Sequence, residues 1–277
     1  MKKILSTALI CGLLYFTSNA QLRTPAPSPS TTIKQDFALS SVELSYSRPA
    51  VKGRKIFGDL VPYGKVWRTG ANQATTITFG EDVTVGGKKV PAGKYGLLTI
   101  PNENEWTVIL SKQLDVTSPA AYKQDQDVVR FTVKANEMPF SIESFMMGFD
   151  NITAKSMNLF ILWDKTEVNF PIEADVDSKI MAQIDNLMNK DNRPYFAAAM
   201  YYMESGKDTN KAIEWLNKAV EQNPNAFWIH HQKANALAKV GKKQEAIAAA
   251  NKSMELARAA KNDDYVALNE KLLKTLK

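Results

Sequence analysis

The chain has 277 residues, 44% of them hydrophobic and 23% charged, which is the composition of a folded chain long enough for two ordinary domains and excludes a disordered one. Its formal net charge of +6 falls to +4 without Lys2 and Lys3, too mild to argue nucleic-acid or membrane binding alone. The single cysteine, Cys11, lies inside an N-terminal leader, so a mature chain has no thiol for a disulfide, a Cys–zinc site or a nucleophile.

That leader, residues 1–20, has the form of a secretory signal peptide. Lys2 and Lys3 supply the basic start, residues 4–16 the apolar run and Ser18-Asn19-Ala20 the small-residue cleavage site. The expected location is therefore exported, periplasmic or secreted after cleavage near Ala20. The apolar run is short for a bilayer and nothing later matches it, so no membrane span is expected. Cys11 is upstream of the cleavage site, where it cannot carry a lipid anchor. Residues 21–35 read as a Pro/Ser/Thr-rich tether, with no face to bury.

Residues 36–175 carry period-two patterning. Val42, Leu44 and Tyr46 alternate with polar neighbours, as do Thr75, Ile77 and Phe79, and later Val129, Phe131 and Val133. Val83 and Val85 lead into a Gly86-Gly87 turn, and residues 101–105 form a hairpin loop into Trp106, Val108 and Leu110. Phe140 and Ile142 occupy one phase but Phe145 and Met147 the other, which predicts a β-bulge near Glu143-Ser144. Residues 157–163 are apolar almost without a break and read as a strand buried on both faces. Val168, Phe170 and Ile172 close the series. About nine short strands with regular turn signals predict an antiparallel β-sandwich or jelly-roll.

Residues 48–72 interrupt that pattern. They hold four glycines, two prolines, six Lys or Arg and one acid, together with Phe57, Tyr63 and Trp67. A long loop of this kind is either functional or packed onto the surface. Arg48, Arg54 and Arg68 offer planar forks for a carboxylate or phosphate, Tyr63 and Trp67 flat faces for a sugar or peptide, and Asn72 an amide. These six are the candidate ligand-binding residues. The competing reading is structural: loop arginines and asparagines tie backbone carbonyls, and Trp67 is core beneath the loop. Glycines at 53, 58, 64 and 70 fit a backbone that needs positive φ under either reading.

After Asp175 the period changes to 3.6. Ile180, Ile184, Leu187 and Met188 form one helical face, with Asp177 or Ser178 placed to cap it. Residues 211–222 (KAIEWLNKAVEQ) align with 245–256 (EAIAAANKSMEL) at an offset of 34, with five of twelve positions identical. That is the tetratricopeptide period, with Pro224 ending the first helix pair, Ala234 at a small position and Gly241 at a turn. Residues 176–277 are therefore read as an α-helical repeat domain, its first and last helices capping the array. Lys233, Lys239, Lys242 and Lys243 read as a solvated surface, which paired helices can shape into a groove for a protein or peptide partner.

Catalytic and metal chemistry has little to build on. His230 and His231 are the only histidines; adjacent helical positions diverge by about 100° and cannot chelate one metal, so one is expected packed and the other at the surface. No G-x-S-x-G elbow occurs. Asp115, Asp125 and Asp127 cluster, but not at the spacing of an EF-hand loop. Neither a metal nor another cofactor is expected.

The motifs Arg48-Pro49, Lys52-Gly53-Arg54, Ile56-Phe57-Gly58, Val61-Pro62-Tyr63-Gly64 and Trp67-Arg68-Thr69-Gly70-Ala71-Asn72 make the chain resemble the domain of unknown function 2911 family of exported bacterial proteins. The likeness extends through Pro91-Ala92-Gly93-Lys94-Tyr95, Ile100-Pro101, Trp106-Thr107-Val108-Ile109 and more loosely Tyr122, Asp127 and Arg130. Residues 114–121 depart from it, lacking the family's tryptophan-glycine pair. The resemblance implies an envelope location and a β-rich domain, and supplies no activity. The functional expectation is a non-catalytic binding module, with an anionic or sugar-like ligand on the β-domain and a protein partner on the helices. The alternative is a hydrolase whose acidic or Ser/Lys residues converge on the 48–72 loop.

Overall fold

The computed structural model describes residues 24–276. The signal peptide expected at 1–20, and residues 21–23 of the expected tether, lie outside the described residues. The chain divides into two compact units, the first ending at Ala174 and the second beginning at Asp175.

In the first unit the described residues form nine strands: β1 (Ser30–Phe37), β2 (Ser40–Ser47), β3 (Thr76–Phe79), β4 (Val83–Val85), β5 (Lys88–Val90), β6 (Gly93–Ile100), β7 (Glu105–Ser111), β8 (Asp127–Asp150) and β9 (Ser156–Glu173). All pair antiparallel, in the order β1-β2-β3-β6-β7-β8-β9-β4-β5. The 24-residue β8 joins the two halves of this sheet. Its first part, to Lys134, pairs with β7, and from Ala135 onward it pairs with β9. The halves pack over one another. The phenol of Tyr46 on β2 donates to the Met147 carbonyl of β8 at 2.8 Å and accepts from the Met147 amide at 3.0 Å. Between the halves lie Trp106 of β7, Phe145 of β8 and Trp163 of β9, each 2% exposed or less.

Expectations for this unit need correction at two places along the chain. Residues 30–35, placed in the tether, belong to β1, which is paired along its whole length with β2; its less exposed phase mixes polar Thr31 and Gln35 with Ile33 and Phe37, so its alternation carries little apolar signal. Residues 157–163 and 168–172 are not separate strands but parts of β9. Within 157–163 one face alone is fully buried, Met157, Leu159, Ile161 and Trp163, while the residues between them are half-exposed. The bulge is where the phase change puts it. The register of β8 against β9 shifts between Glu137 and Ile142 and again between Ile142 and Met146. Phe140 is left 58% exposed while Phe145 is buried.

The second unit contains α1 (Val176–Met188), α2 (Tyr195–Glu204), α3 (Thr209–Gln222), α4 (Phe227–Lys239), α5 (Lys243–Ala259) and α6 (Asp263–Thr275). The 34-residue offset superposes α3 on α5: Ala212 and Ala246, Leu216 and Ala250, Ala219 and Ser253 are equivalent pairs, all buried. Small residues at these positions let the helices approach closely. Leu272, Leu273 and Leu276 pack on the resulting core and close one end of the array. The cap of α1 is Asp175, whose side chain accepts from the Ser178 amide at 3.1 Å, rather than Asp177 or Ser178. Asp177, in the first turn, instead accepts from the Tyr201 phenol and pairs with Lys207. Both histidines are packed, again contrary to expectation. His230 Nε2 bonds the Pro224 carbonyl at 2.9 Å and His231 Nδ1 bonds Asn269 Oδ1 at 2.8 Å. No described helix is long and apolar enough to cross a membrane.

Candidate functional site

The 48–72 loop is held to the β-unit at both ends because its neighbours leave strand edges open. The bulge in β8 withholds part of its backbone from β9, and the start of the loop takes that backbone up. Phe145 N donates to the Pro49 carbonyl and Val51 N to the Glu143 carbonyl, both at 2.8 Å, and Lys52 N reaches Glu143 Oε1 at 2.9 Å. At the other end β3 covers β6 only as far as Gly96. Beyond it, Thr99 N and O exchange bonds with Trp67 O and N at 3.0 and 2.7 Å. Three fully buried threonines lock this end: Thr69 Oγ1 bonds Thr99 Oγ1 at 3.0 Å, and Thr75 Oγ1 donates to the Thr69 carbonyl at 2.6 Å.

The loop's glycines at 53, 58, 64 and 70 all have positive φ, as do Lys52, Thr69 and Asn72. A non-glycine residue holds such a conformation only where surrounding bonds impose it, as they do around Thr69. At Gly70 a Cβ would stand 3.0 Å from the Ser47 carbonyl oxygen and 3.2 Å from Thr75 Oγ1.

Trp67 sits within an aromatic cluster. It stacks on Trp163 at 5.8 Å with 17° between planes and meets Phe57, Trp106 and Phe145 edge-on at 6.0, 6.1 and 5.3 Å. Such pairs contribute about 0.5–1.5 kcal/mol each beyond area burial. Its indole Nε1 donates to the Gly70 carbonyl at 3.0 Å. Beside this cluster lies a cavity of about 380 Å³, with Arg54, Lys65, Trp67, Arg68 and Trp163 in its lining and Thr117, Ser118 and Pro119 in one wall. That volume is at the low end for small-molecule sites.

Of the six candidate residues, Arg54, Trp67 and Arg68 line this cavity, and Arg48, Tyr63 and Asn72 do not. Arg48 Nε donates to the Phe145 carbonyl at 3.0 Å, supporting the bulge. Asn72 Nδ2 donates to the Ser28 carbonyl at 3.0 Å and to Ser47 Oγ at 3.4 Å. The ring of Tyr63 lies against Gly58, and its phenol is held above the usual range by burial and, second, by Glu103. These three hold the loop together. Arg54 is partly structural too, its guanidinium donating to the Val51 and Ala50 carbonyls. Arg68 differs: one terminal nitrogen donates to the Thr117 carbonyl, while its buried Nε has no partner. The Nε1 of Trp163 is likewise buried and unpaired.

No Asp, Glu or His belongs to the cavity lining. Ser118 and Lys65 both line it but are not hydrogen-bonded to each other among the described residues. The acidic or Ser/Lys convergence that a hydrolase would need is therefore not assembled here. Asp115, Asp125 and Asp127 do not converge either, and the described residues hold no group of three or more metal-ligating acids or histidines. Asp127 is taken up by Tyr122 and Arg130. Its Oδ2 accepts from the Tyr122 phenol and from Arg130 Nε at 3.2 Å, and Arg130 also donates to the phenol oxygen. This trio anchors the segment carrying the Thr117–Pro119 wall, and Tyr122 packs with Leu98, Ile109 and Val116.

Sequence reasoning missed Trp163, Lys65 and the Thr117–Pro119 wall. Trp163 is in phase with buried Met157, Leu159 and Ile161, so its polar nitrogen is invisible to the alternation. The wall lies in a stretch with neither period.

The described residues thus define a two-unit protein, an antiparallel β-unit with a loop-framed cavity followed by a short array of paired helices. Residues 28–172, just over half the chain, match the family described as a protein of unknown function (DUF2911), and the chain belongs to it. Residues 193–226 and 215–248 match tetratricopeptide repeats. No curated protein matches the sequence.

Proposed function

We propose that this is an exported, non-catalytic binding protein whose β-unit holds a small ligand in the cavity beside the 48–72 loop and whose helical repeats engage a protein partner. The observation that carries the first half is the cavity lining. It is concave and flanked by fixed indoles, with Arg54, Lys65 and Arg68 among its residues. The lining has donors and cations but no acid or histidine to move a proton, which favours binding over hydrolysis. The repeat matches support the second half, because stacked helix pairs present an extended surface to other proteins. The leader at 1–20 supports export.

The test is a thermal-shift screen of the purified protein against glycans, phosphates, organic anions and neutral fragments, since a ligand that binds only the folded state raises its melting temperature. A hit whose effect disappears in Arg68→Ala places binding at the cavity. Absence of any hit from the whole set would remove the β-unit half of the proposal. Recovery from its host of a mature chain starting near Gln21 supports export, and uncleaved protein in the cytoplasm refutes it.

A further inference from the structure

We infer that the tip of the 48–72 loop is a docking surface for an anionic lipid bilayer, with Arg54, Lys55 and Lys65 meeting the headgroups and Leu60 and Pro62 entering the boundary beneath them. This surface is independent of whether the neighbouring cavity takes a small ligand. The first observation is charge. Residues 24–174 hold sixteen Lys or Arg and sixteen Asp or Glu, yet six of those cations and one of those acids fall within 48–72. The β-unit is therefore neutral as a whole, with a cationic loop and an acidic remainder. That asymmetry turns the loop toward an anionic surface.

The second is where the cations and the apolar groups stand. Arg54, Leu60, Pro62 and Lys65 border one concavity whose lining has no acid, and Asp59, the one acid of the loop, is not part of it. Lys55 is tied to the same place, its carbonyl accepting from the Leu60 amide at 3.4 Å. All five are exposed, Leu60 to 44%. Arg54, Lys55 and Lys65 form no ion pair among the described residues. Their charge is thus open to a surface that comes from outside.

The third is that the exposure of Leu60 is built into the turn. Leu60 stands between Ile56 and Val61, which are 1% and 5% exposed and anchor the turn in the core. Val61 N donates to the Ile56 carbonyl and Gly58 N to the Val61 carbonyl, both at 2.9 Å. A fixed apex needs no further ordering when it docks. An apolar apex among cations fits the boundary of headgroup and acyl chain, which buries the one and attracts the other. Neither Leu60 nor Pro62 offers a nucleic acid the stacking faces that its binding uses.

The chain of 21–277, which omits the apolar leader, is sedimented with vesicles of phosphatidylglycerol and phosphatidylcholine in equal parts, and with vesicles of phosphatidylcholine alone. Binding is expected to the first only, and weakens as salt is raised. Lys55→Gln and Lys65→Gln should each lower the affinity about fivefold, the effect of one cation near an anionic leaflet. Lys88→Gln and Lys89→Gln, at exposed positions of β5 in the same unit, should leave it unchanged. Without Cys11 the chain has no cysteine, so a polarity-sensitive fluorophore on Leu60→Cys reports the apex alone. Its emission should move to the blue on the anionic vesicles. Equal binding to both kinds of vesicle, or equal losses from the two lysine pairs, would overturn the docking surface. Binding without the blue shift, or equally tight binding to soluble polyphosphate or duplex DNA, would assign the cations to polyanions in general and overturn the bilayer. No binding to the anionic vesicles overturns the proposal outright and leaves the cavity to its own screen.

Discussion

At the scale of single residues, the 48–72 loop combines groups that fix the backbone with groups left available. Thr75 belongs to the first kind. Its side chain is fully buried, and its hydroxyl donates at 2.6 Å to the carbonyl of Thr69, a non-glycine residue at φ +54°. Thr75→Val keeps the shape but removes that donor and leaves the Thr69 carbonyl short of a partner. The expected cost is about 1–3 kcal/mol, or roughly 2–10 °C in the melting temperature of the β-unit, with Thr75→Ser close to wild type. Differential scanning calorimetry of the two variants checks it, and equal melting of Val and wild type would mean that the hydroxyl does not hold the turn. Arg68 belongs to the second kind, lining the cavity with a single carbonyl contact. The sequence marks this stretch as special, because Arg68-Thr69-Gly70 breaks the alternation just before β3. It does not separate the arginine that lines the cavity from Arg48, which holds a carbonyl 97 residues away, since both are cations in the same glycine- and proline-rich loop. That distinction depends on the bulge in β8, a feature of a different part of the chain.

At the scale of elements, the cavity wall and the last helix are each fixed by a polar cluster. The wall at Thr117–Pro119 precedes Tyr122, whose phenol is raised to about 12 by burial first and then by its bond to Asp127. A folded-state value above the ordinary 10.0 means that the folded protein holds this proton more tightly than the unfolded chain. Its contribution is therefore complete below pH 10 and is lost as pH rises towards 12. The melting temperature of the β-unit should fall across that interval, and less steeply in Tyr122→Phe. Tyr63 and Tyr95, also raised, maintain a residual slope in the mutant. Identical slopes in mutant and wild type would discount the Tyr122–Asp127–Arg130 anchor.

In the helical unit, Asn269 is fully buried on α6, and its amide donates to Ser253 Oγ at 2.8 Å and to the Tyr265 carbonyl at 2.7 Å. Both of its amide hydrogens are thus engaged, so Oδ1 accepts from His231 Nδ1 of α4, while Ser253 Oγ of α5 donates to the Phe227 carbonyl. One side chain ties three helices. Asn269→Leu keeps the bulk but orphans the His231 N–H, and should destabilise the helical unit by about 1–3 kcal/mol per group left unsatisfied. Urea denaturation followed at 222 nm measures it, and a change below about 0.5 kcal/mol would show the network to be dispensable. The element types were readable because burial patterns are local: the 34-residue offset gives α3 and α5, and the phase change at Phe140–Phe145 gives the bulge. Strand β1 was not readable, because an edge strand with polar outer residues resembles a tether. Nor was the burial of both histidines, which depends on α6 covering α4.

At the scale of the whole molecule, the division at Ala174 and Asp175 separates two different ways of making a core. The β-unit buries large side chains such as Trp106, Phe145, Trp163 and Phe170 between the two halves of a sheet. The helical core consists mostly of alanines, with Ile213, Leu216, Ile229 and Leu237, packed through small residues and closed by α6. Asp175 caps α1 of the second unit, while the Ala174 amide donates to the Lys155 carbonyl within the first. Each unit has its own core, and each is expected to fold alone. Chains of 24–174 and 175–277 should each melt cooperatively, at temperatures within about 4 °C of the corresponding transitions in the full chain, the shift that about 1 kcal/mol of lost coupling would produce. The helical fragment should unfold first, because two repeats bury little apolar surface per residue. Calorimetry of the three chains decides the matter: a single transition in the full chain that neither fragment retains would mean that the two units stabilise one another and that the boundary is not one of folding.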